Sequence, residues 1–353
     1  MRLTAHPYTL HFKRPAATSR GALFTKPVVF LAATRADLPD VVGWGECSPM
    51  PGLSIDDISD YVDIVQSVCD TFSAGGDMPA LGLTELPSVA FGLETVLRDL
   101  QTGGQQRLFD TAFSSGQAAL PTHGLIWMDD PEHVLEQVEL KAAQGCQVIK
   151  MKVGALPFEK EHALLKSIRQ RFHRDEMELR LDANGAFAPH EALERLPRLA
   201  DFDVAFLEQP IAAGRWQEMA DLCAHSPIPI ALDEELIGIA GAEARLQLMD
   251  TIRPQHLILK PSLLGGLAAC EAWIDEAKRI GSQWWINSLL ESNIGLNAIC
   301  QWTSARQAKE FERVHGLGTG QLYANNIPSP LRLEACGLRL DPAASWDYRS
   351  ILT

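Results

Sequence analysis

Charged residues end five short apolar segments of this chain at nearly regular intervals. Successive charges lie about 25–30 residues apart, which is the length of one strand, one helix and two loops in a βαβ chain. If each segment is a strand of one parallel barrel, the carboxyl ends of the strands converge on a single mouth, where such barrels carry their chemistry. The segments are VIKMKVG, LRLDANG, VAFLEQP, IALDEEL and LILKPSLLGG, and they end at Lys152, Asp182, Glu208, Asp233 and Lys260.

The three carboxylates predict a site for a hard divalent cation. Asp182, Glu208 and Asp233 would end three consecutive strands, so their oxygens could meet and leave positions open for water and substrate. Mg²⁺ prefers such oxygen ligands, with Mn²⁺ as a possible substitute, and the absence of Cys or His in this set disfavours zinc. Glu234 could replace Asp233 as the third ligand, and Asn184 is expected to bind the ligands or the substrate. The alternative is three independent strand-end caps.

The lysines predict acid–base chemistry beside the cation. Lys150 and Lys152 lie two residues apart, so both point into the lumen. Repulsion between the two ammonium groups should lower the pKa of at least one, and a neutral lysine can remove a proton next to a carboxylate. Alternatively, one of them, Lys150 in particular, pairs with a strand carboxylate. Lys260 would lie across the lumen as an opposite-face base or as a fixed cation.

These residues require a repeating strand–helix framework, and residues 119–320 have the pattern of one. Eight apolar strands alternate with seven helical patterns, which predicts a (β/α)7β modified TIM barrel; a doubly wound sheet is the alternative. Asp130 before Pro131 has the composition of a helix N-cap followed by its first residue. The segment VHGLG near residues 314–318 would supply the eighth strand.

The first 118 residues have a different pattern. Three alternating segments there predict antiparallel strands, and helical patterns follow at residues 55–72 and 86–102. We therefore expect an α+β capping domain at residues 1–118. The tail at residues 321–353 is too short to fold alone and is expected to pack on that domain.

Composition narrows the class of protein. The chain has 353 residues, 46% of them hydrophobic, which is enough for a large core, and its net charge of -14 argues against a nucleic-acid partner. No segment has the length and composition of a membrane span or signal peptide. The seven cysteines form no spacing motif and are expected to be free and buried in a reducing compartment. These features predict a cytoplasmic enzyme for a small carboxylate substrate, which could form a homo-oligomer.

Taken as an ordered set, these residues resemble the enolase superfamily, in particular its muconate-lactonizing subgroup. The marks are the KMK segment at Lys150 and Lys152, the three acidic ligands, and Lys260. The resemblance covers nearly the whole chain, with the capping module at its amino end. It implies that a base removes the proton α to a carboxylate and that Mg²⁺ holds the resulting enediolate.

Three further segments are most similar to the dehydratase branch of that subgroup, which acts in menaquinone biosynthesis. They are GWGECSPMPGLS, KPSLLGG and INSLLESNIGLNAICQW. By this resemblance Lys152 would act as both base and acid in a syn elimination, and Lys260 would stabilise the enediolate from the opposite face. A racemase of N-succinylamino acids and a muconate-type cycloisomerase remain alternatives, because both share the two lysines.

Substrate contacts are predicted from loops around the mouth. Asn287, Ser288, Ser292 and Asn293 follow the seventh strand and could hold the substrate's side arm, although each could equally serve a loop or a helix cap. The segment at residues 20–26 could be a lid, and the turn at residues 50–54 could form a second wall. Arg20 or Lys26 could meet a substrate carboxylate, although exposed loop cations are usually only solvated.

Overall fold

The computed structural model describes residues 1–18, 21–76, 82–127, 129–307 and 313–352, with only the backbone of residues 17 and 18. Its amino-terminal part is a three-stranded antiparallel sheet with two helices. The strands are β1 (Arg2–Thr18), β2 (Gly21–Arg35) and β3 (Leu38–Cys47), and the helices are α1 (Tyr61–Ser73) and α2 (Pro87–Gln101). Helix α2 packs so closely on β3 that a Cβ at Gly45 would lie 2.8 Å from the Val96 amide nitrogen.

A short strand, β4 (Leu120–Pro121), leads into a curled sheet of seven parallel strands that pair in chain order. These are β5 (Gly124–Ile126), β6 (Val148–Lys152), β7 (Glu178–Asp182), β8 (Val204–Glu208), β9 (Ile230–Leu232), β10 (His256–Leu259) and β11 (Gln283–Ile286). The helices that follow them are α3 (Pro131–Ala143), α4 (Phe158–Arg171), α5 (Pro189–Ala200), α6 (Trp216–His225), α7 (Ala242–Ile252), α8 (Pro261–Leu264), α9 (Leu267–Ile280) and α10 (Asn293–Gln307). The predicted fold class, a modified barrel with an amino-terminal cap, is confirmed.

Alternation along each strand separates the core from the lumen. On β6, Ile149 and Met151 join the apolar core that lies between the strands and the surrounding helices, whereas Lys150 and Lys152 point to the opposite side. The predicted cap of α3 is also confirmed, since the Asp130 carboxylate accepts hydrogen bonds from the amides of residues 132 and 133.

The eighth strand is shorter than expected. In the segment 313–318 the structure has isolated bridges, which pair Thr122 with His315 and Asn287 with Gly316. They connect β11 to the start of the first barrel strand, so the ring closes without a regular ladder. Glycine at 316 favours this outcome, because a residue without a side chain weakens a strand but lets neighbours approach closely.

The tail contacts both parts of the molecule. Strands β12 (Leu331–Glu334) and β13 (Gly337–Leu340) form a hairpin that pairs with β4. On either side of the hairpin, Tyr323 and Ile351 pack against Leu10 and Phe30 of the capping sheet. The boundaries at residues 118 and 320 stay a prediction.

The expectation that all seven cysteines are free is wrong for two of them. Cys146, before β6, is disulfide-bonded to Cys336 in the tail hairpin, with their Cα atoms 5.2 Å apart. The partners are 190 residues apart in the chain and come together only through the docking of the tail, so spacing gave no signal. The other five cysteines are free and buried. Within the described ranges, none of the helices is both long and apolar enough to cross a membrane.

Candidate active site

The carboxyl ends of the barrel strands, together with strand β2 and one turn of the cap, form one cavity. The cap contributes Leu23 and the turn at residues 50–53, so the structure places the predicted second wall at the cavity. The predicted lid, residues 20–26, begins at Arg20, which lies outside the described residues; from Gly21 onward it is part of β2. On the barrel side the cavity is lined by Lys150, Lys152, Asp182, Asn184, Glu234, Lys260, His123, Leu125, Trp127, residues 287–290 and Gly316, Gly318 and Thr319.

Lys150 lies between the carboxylates of two of the predicted metal ligands, Asp182 and Glu208. Its Nζ is 2.9 Å from Asp182 Oδ2 and 2.6 Å from the Glu208 carboxylate, and all three side chains are buried. Burial lowers the pKa of Lys150, but the carboxylates of Asp182, Glu208 and Asp233 outweigh it and raise that pKa above its usual value. The carboxylates, rather than repulsion by the second lysine, therefore determine the direction of this pKa shift. Lys150 is a pairing residue, which the sequence left open.

Lys152 and Lys260 enter the cavity from strands on opposite sides of the lumen. Lys152 Nζ is 3.3 Å from Asp182 Oδ2 and donates a short hydrogen bond to Asn184 Oδ1. Lys260 donates a similarly short bond to Asp233. Burial lowers the pKa of Lys260, but Asp233, Glu208 and Glu234 outweigh it and raise that pKa. Lys260 is therefore held as a cation.

The acidic groups experience opposite effects. Burial raises the pKa of Asp182, but the Lys150 and Lys152 ammonium groups dominate and hold it well below the usual range. Burial, together with the charges of Asp182 and Asp233, raises the pKa of Glu208. Burial and the same two aspartates raise the pKa of Glu234, whose Oε1 accepts a hydrogen bond of 2.9 Å from the Asn184 amide.

This donor set fits Mg²⁺. The carboxylates supply only oxygen ligands, and the charges of Asp182 and Asp233 contribute, after burial, to the raised pKa values of Glu208 and Glu234, so the acidic groups repel one another and a cation between them would relieve that repulsion. Glu234 lines the cavity, so the structure keeps it as a possible ligand beside Asp233. In addition, Asp129, Asp130 and His133 bring ligand atoms within 4.8 Å of one another, but all three are exposed at the start of α3.

The residues after β11 divide into two groups. Ser288 lines the cavity. Its Oγ donates a hydrogen bond of 2.5 Å to Glu291 Oε2 and accepts one of 2.8 Å from the Thr319 hydroxyl. Ser292 and Asn293 are not among the residues that line it. Ser292 donates from its amide and its hydroxyl to Glu46 of the cap, and the Asn293 amide group donates to Ile327 O. Of these two predicted substrate contacts, Ser292 therefore connects the barrel to the cap and Asn293 connects it to the tail.

Lys26, expected as an exposed loop cation, is fully buried between cap and barrel. Its Nζ donates three hydrogen bonds, to Ser48 Oγ at 2.7 Å, to Leu289 O at 2.7 Å and to Leu290 O at 3.2 Å. Burial lowers the pKa of Lys26 to about 8, against the opposing effect of the Glu46 and Glu291 carboxylates. The correction has a clear cause, because the groups that surround this lysine come from distant parts of the chain. Lys26 holds the cavity wall formed by residues 289 and 290.

Removing this ammonium should destabilise the protein. A Lys26→Met variant leaves the Leu289 carbonyl and the Ser48 hydroxyl buried without this donor, whereas Leu290 O keeps its hydrogen bond from Tyr323, so we expect a loss of about 3 kcal/mol in the free energy of unfolding. Urea unfolding curves measure it. Lys13→Met, the same change at an exposed position of β1, is the control and should stay within about 0.5 kcal/mol. Equal losses in both variants would contradict the assigned role of Lys26.

His123 was missed as a lumen residue. It precedes β5 and alternates with Leu125 and Trp127, all three of which line the cavity. The signal was present, since alternation along the segment THGLIWM places these three residues on one face. Glu46 and Glu291 were missed too, and nothing in their local sequence predicts that they accept hydrogen bonds at the boundary between cap and barrel.

Comparisons with known proteins agree with this architecture. A family model described as enolase C-terminal domain-like matches residues 133–341. The o-succinylbenzoate synthase of Desulfotalea psychrophila (strain LSv54 / DSM 12343) is 43% identical over 371 residues, which cover 95% of this chain and 97% of that protein. The crystal structure of MenC from Desulfotalea psychrophila LSv54 is similar with a TM-score of 0.82 and 39% identity, over 96% of this chain and 99% of that one.

More distant structures share the fold. The substrate-liganded L-Ala-D/L-Glu epimerase from Bacillus subtilis has a TM-score of 0.82 at 19% identity, over 98% of this chain and 97% of that chain. At this identity the likeness supports the architecture and carries no argument about substrate.

Proposed function

We propose that this chain, which belongs to the family of enolase C-terminal domain-like proteins, dehydrates 2-succinyl-6-hydroxy-2,4-cyclohexadiene-1-carboxylate to o-succinylbenzoate in menaquinone biosynthesis. The chain is an enzyme, a lyase of the enolase superfamily. The observation that carries the choice of reaction is the 43% identity, over 95% of the chain, to an o-succinylbenzoate synthase. The geometry supports it, because Lys152 lines the cavity and Lys260, which faces the same cavity, is paired with Asp233 and has a raised pKa, as suits a fixed cation.

In the proposed reaction Lys152, in its neutral form, removes the proton from the ring carbon that bears the carboxylate. The electron pair of that C–H bond passes to the carboxylate as an enediolate. Lys152, now an ammonium, then gives its proton to the hydroxyl on the neighbouring carbon. As that C–O bond breaks and water leaves, the electron pair returns to form the double bond that completes the aromatic ring. Proton removal and return occur on one face, which makes the elimination syn.

The other residues stabilise charge and fix positions. Lys260 is held as a cation by Asp233 and faces the developing anion from the opposite side. Asn184 accepts a hydrogen bond from the Lys152 ammonium and so orients Lys152 toward the substrate. Asp182, Glu208 and Asp233, with Glu234 as the alternative third ligand, would hold Mg²⁺, or Mn²⁺ in its place. Either ion supplies positive charge beside the substrate carboxylate.

A second candidate is racemisation of N-succinylamino acids, or a muconate-type cycloisomerisation, at the same site. The observation in favour of racemisation is that two lysines face the cavity from opposite sides, as removal and return of a proton on opposite faces requires. The cytoplasm is the compartment that we propose for either activity.

Direct assay distinguishes these reactions. With Mg²⁺ we expect the purified protein to convert the cyclohexadiene to the aromatic product, to lose this activity in EDTA and to recover it with added Mg²⁺. Exchange of the α-proton of N-succinylamino acids for deuterium, followed by NMR, should be slower than dehydration. Exchange that far outpaces dehydration would establish the racemase instead.

A further inference from the structure

The reacting groups occupy only part of the barrel mouth. Lysines and carboxylates come from β6 to β9 and from the end of β10, whereas β11, the segment 313–318 and the start of β5 contribute none of them. A substrate with its carboxylate and its acidic carbon on the charged side must therefore direct its remaining atoms toward this second side. The residues there decide which side arm is accepted.

His123 is a buried polar group on this second side. Its side chain lines the cavity although the residue is only 7% exposed. Nδ1 is sealed from solvent, and neither ring nitrogen has a hydrogen-bond partner among the residues that the structure describes. Burial, reinforced by the Arg180 and Lys150 charges, lowers the pKa of His123 well below its ordinary value. The ring is therefore neutral and offers one N–H donor and one acceptor nitrogen.

Asn287 lies beside His123 across a glycine. It follows β11, lines the cavity and is 6% exposed, and its carboxamide has no hydrogen-bond partner within the described part of the chain. A Cβ at Gly316 would lie 2.9 Å from His123 Cε1 and would collide with Asn287 Oδ1. The absence of a side chain at 316 thus lets the imidazole and the carboxamide approach each other. Two polar side chains that are more than nine-tenths buried, and that no described residue satisfies, indicate a ligand that completes their hydrogen bonds.

We infer that His123, together with Asn287, forms a hydrogen-bonding subsite for the ketone oxygen of the substrate's side arm. This inference rests on the proposed function, which supplies a ketone on the ring carbon next to the one that bears the carboxylate. An uncharged imidazole and carboxamide suit an uncharged carbonyl oxygen, since a carboxylate in a buried site is matched by cations. His123 therefore selects substrates with a carbonyl attached directly to the ring.

Ligand binding to the Mg²⁺-loaded protein tests this subsite. The ligands are o-succinylbenzoate and 4-(2-carboxyphenyl)butanoate, in which a methylene replaces the ketone. We expect the unmodified protein to bind o-succinylbenzoate about tenfold more tightly than the methylene compound. His123→Phe should abolish that preference by weakening only o-succinylbenzoate, and His123→Gln, which keeps a donor, should restore part of it. Calorimetric titration gives all the dissociation constants.

His256→Phe is the matched control. His256 begins β10 at the opposite end of the lumen, where its ring packs edge-on against Phe206 and Trp285. The same substitution there should leave the ketone preference intact. If His123→Phe does not fold, Asn287→Ala serves instead and should reduce the same preference.

The outcomes separate this inference from the proposed function. Suppose that the protein dehydrates the cyclohexadiene, but His123→Phe or Asn287→Ala weakens the binding of both ligands equally or leaves both unchanged. Only the ketone subsite is then overturned. If 2-butanoylbenzoate, which keeps the ketone and lacks the arm carboxylate, is insensitive to His123→Phe, the partner is the carboxylate and the inference is again wrong. A protein that neither binds these ligands nor performs the dehydration overturns both.

Discussion

The Lys152→Ala variant is expected to lose dehydration activity by on the order of 10⁴-fold in kcat, the upper range for removal of a general acid–base group. The loss should be this large because the same side chain removes the α-proton and returns it to the departing hydroxyl. Its Nζ lies at the cavity with Asn184 and Asp182 as neighbours, and Lys150, on the same face of β6, is held by the Asp182 and Glu208 carboxylates. Formation of the aromatic product in the presence of Mg²⁺ measures the effect.

Two comparisons make this result specific. Lys160→Ala removes an exposed lysine from α4 and should leave kcat unchanged. Binding of o-succinylbenzoate to Lys152→Ala should change far less than kcat, since truncation removes a proton carrier and leaves Lys150 and the carboxylates in place. A Lys152→Ala enzyme that kept a tenth or more of its activity would refute the proposed mechanism.

The second large effect is expected at the centre of the acidic group. Glu208→Gln keeps the shape of the side chain but removes its negative charge. Lys150, whose Nζ lies 2.6 Å from the Glu208 carboxylate, then loses one of its two anionic partners. We expect affinity for Mg²⁺ and Mn²⁺ to fall by at least about 100-fold, because loss of a direct ligand should exceed the 10–100-fold effect of residues that only support one. Titration of the metal-free protein with Mn²⁺, followed calorimetrically, reports this loss without any assay of turnover.

Glu194→Gln, the same change at an exposed position of α5, should bind metal as the unmodified protein does. Asp233→Asn and Glu234→Gln then identify the third ligand. If Asp233 binds the ion, as the sequence predicts, its variant should lose as much affinity as Glu208→Gln, and Glu234→Gln should lose little. The reverse order would assign the third ligand to Glu234. Unchanged metal affinity in all three variants would rule out the proposed metal site.

The charged strand ends were predictable because the signal is local and repeated. Each of Lys152, Asp182 and Glu208 ends an apolar run, and the side chains of parallel strands at the same level must meet. The helix that begins after Asp130 was predictable for the same reason, since the capping residue and the following proline are adjacent in sequence.

Residues whose partners lie far away in the chain were not predictable. Lys26 lies in an alternating strand, and nothing near it indicates that its ammonium would be enclosed by Ser48 and by the carbonyl groups of residues 289 and 290. Ser292 and Asn293 looked like loop residues at the mouth, but their partners are Glu46 in the cap and Ile327 in the tail. Tertiary contacts of this kind have no periodic trace in the sequence.

The pKa of Lys150 was left open by the sequence for a similar reason. Two neighbouring positions on one strand predict repulsion between Lys150 and Lys152, and pairing of Lys150 with a strand carboxylate was the alternative. The structure favours the alternative, because oxygens of Asp182 and Glu208 lie within 3 Å of the Lys150 ammonium and raise its pKa. In a lumen with charges of both signs, the distances decide which interaction prevails.

The contact between the first and last segments of the chain bears on how the protein is made. Leu10 and Phe30 of the capping sheet are covered by Tyr323, Ile327 and Ile351, which leave the ribosome only after the barrel strands. Until then the nascent chain presents an apolar sheet face without its cover, and contacts between residues so distant in sequence form slowly. The barrel strands are synthesised in order and can pair with the strand just before them. We therefore expect the nascent barrel to become protease-resistant before the cap does, and the newly made cap to be the segment that chaperones bind.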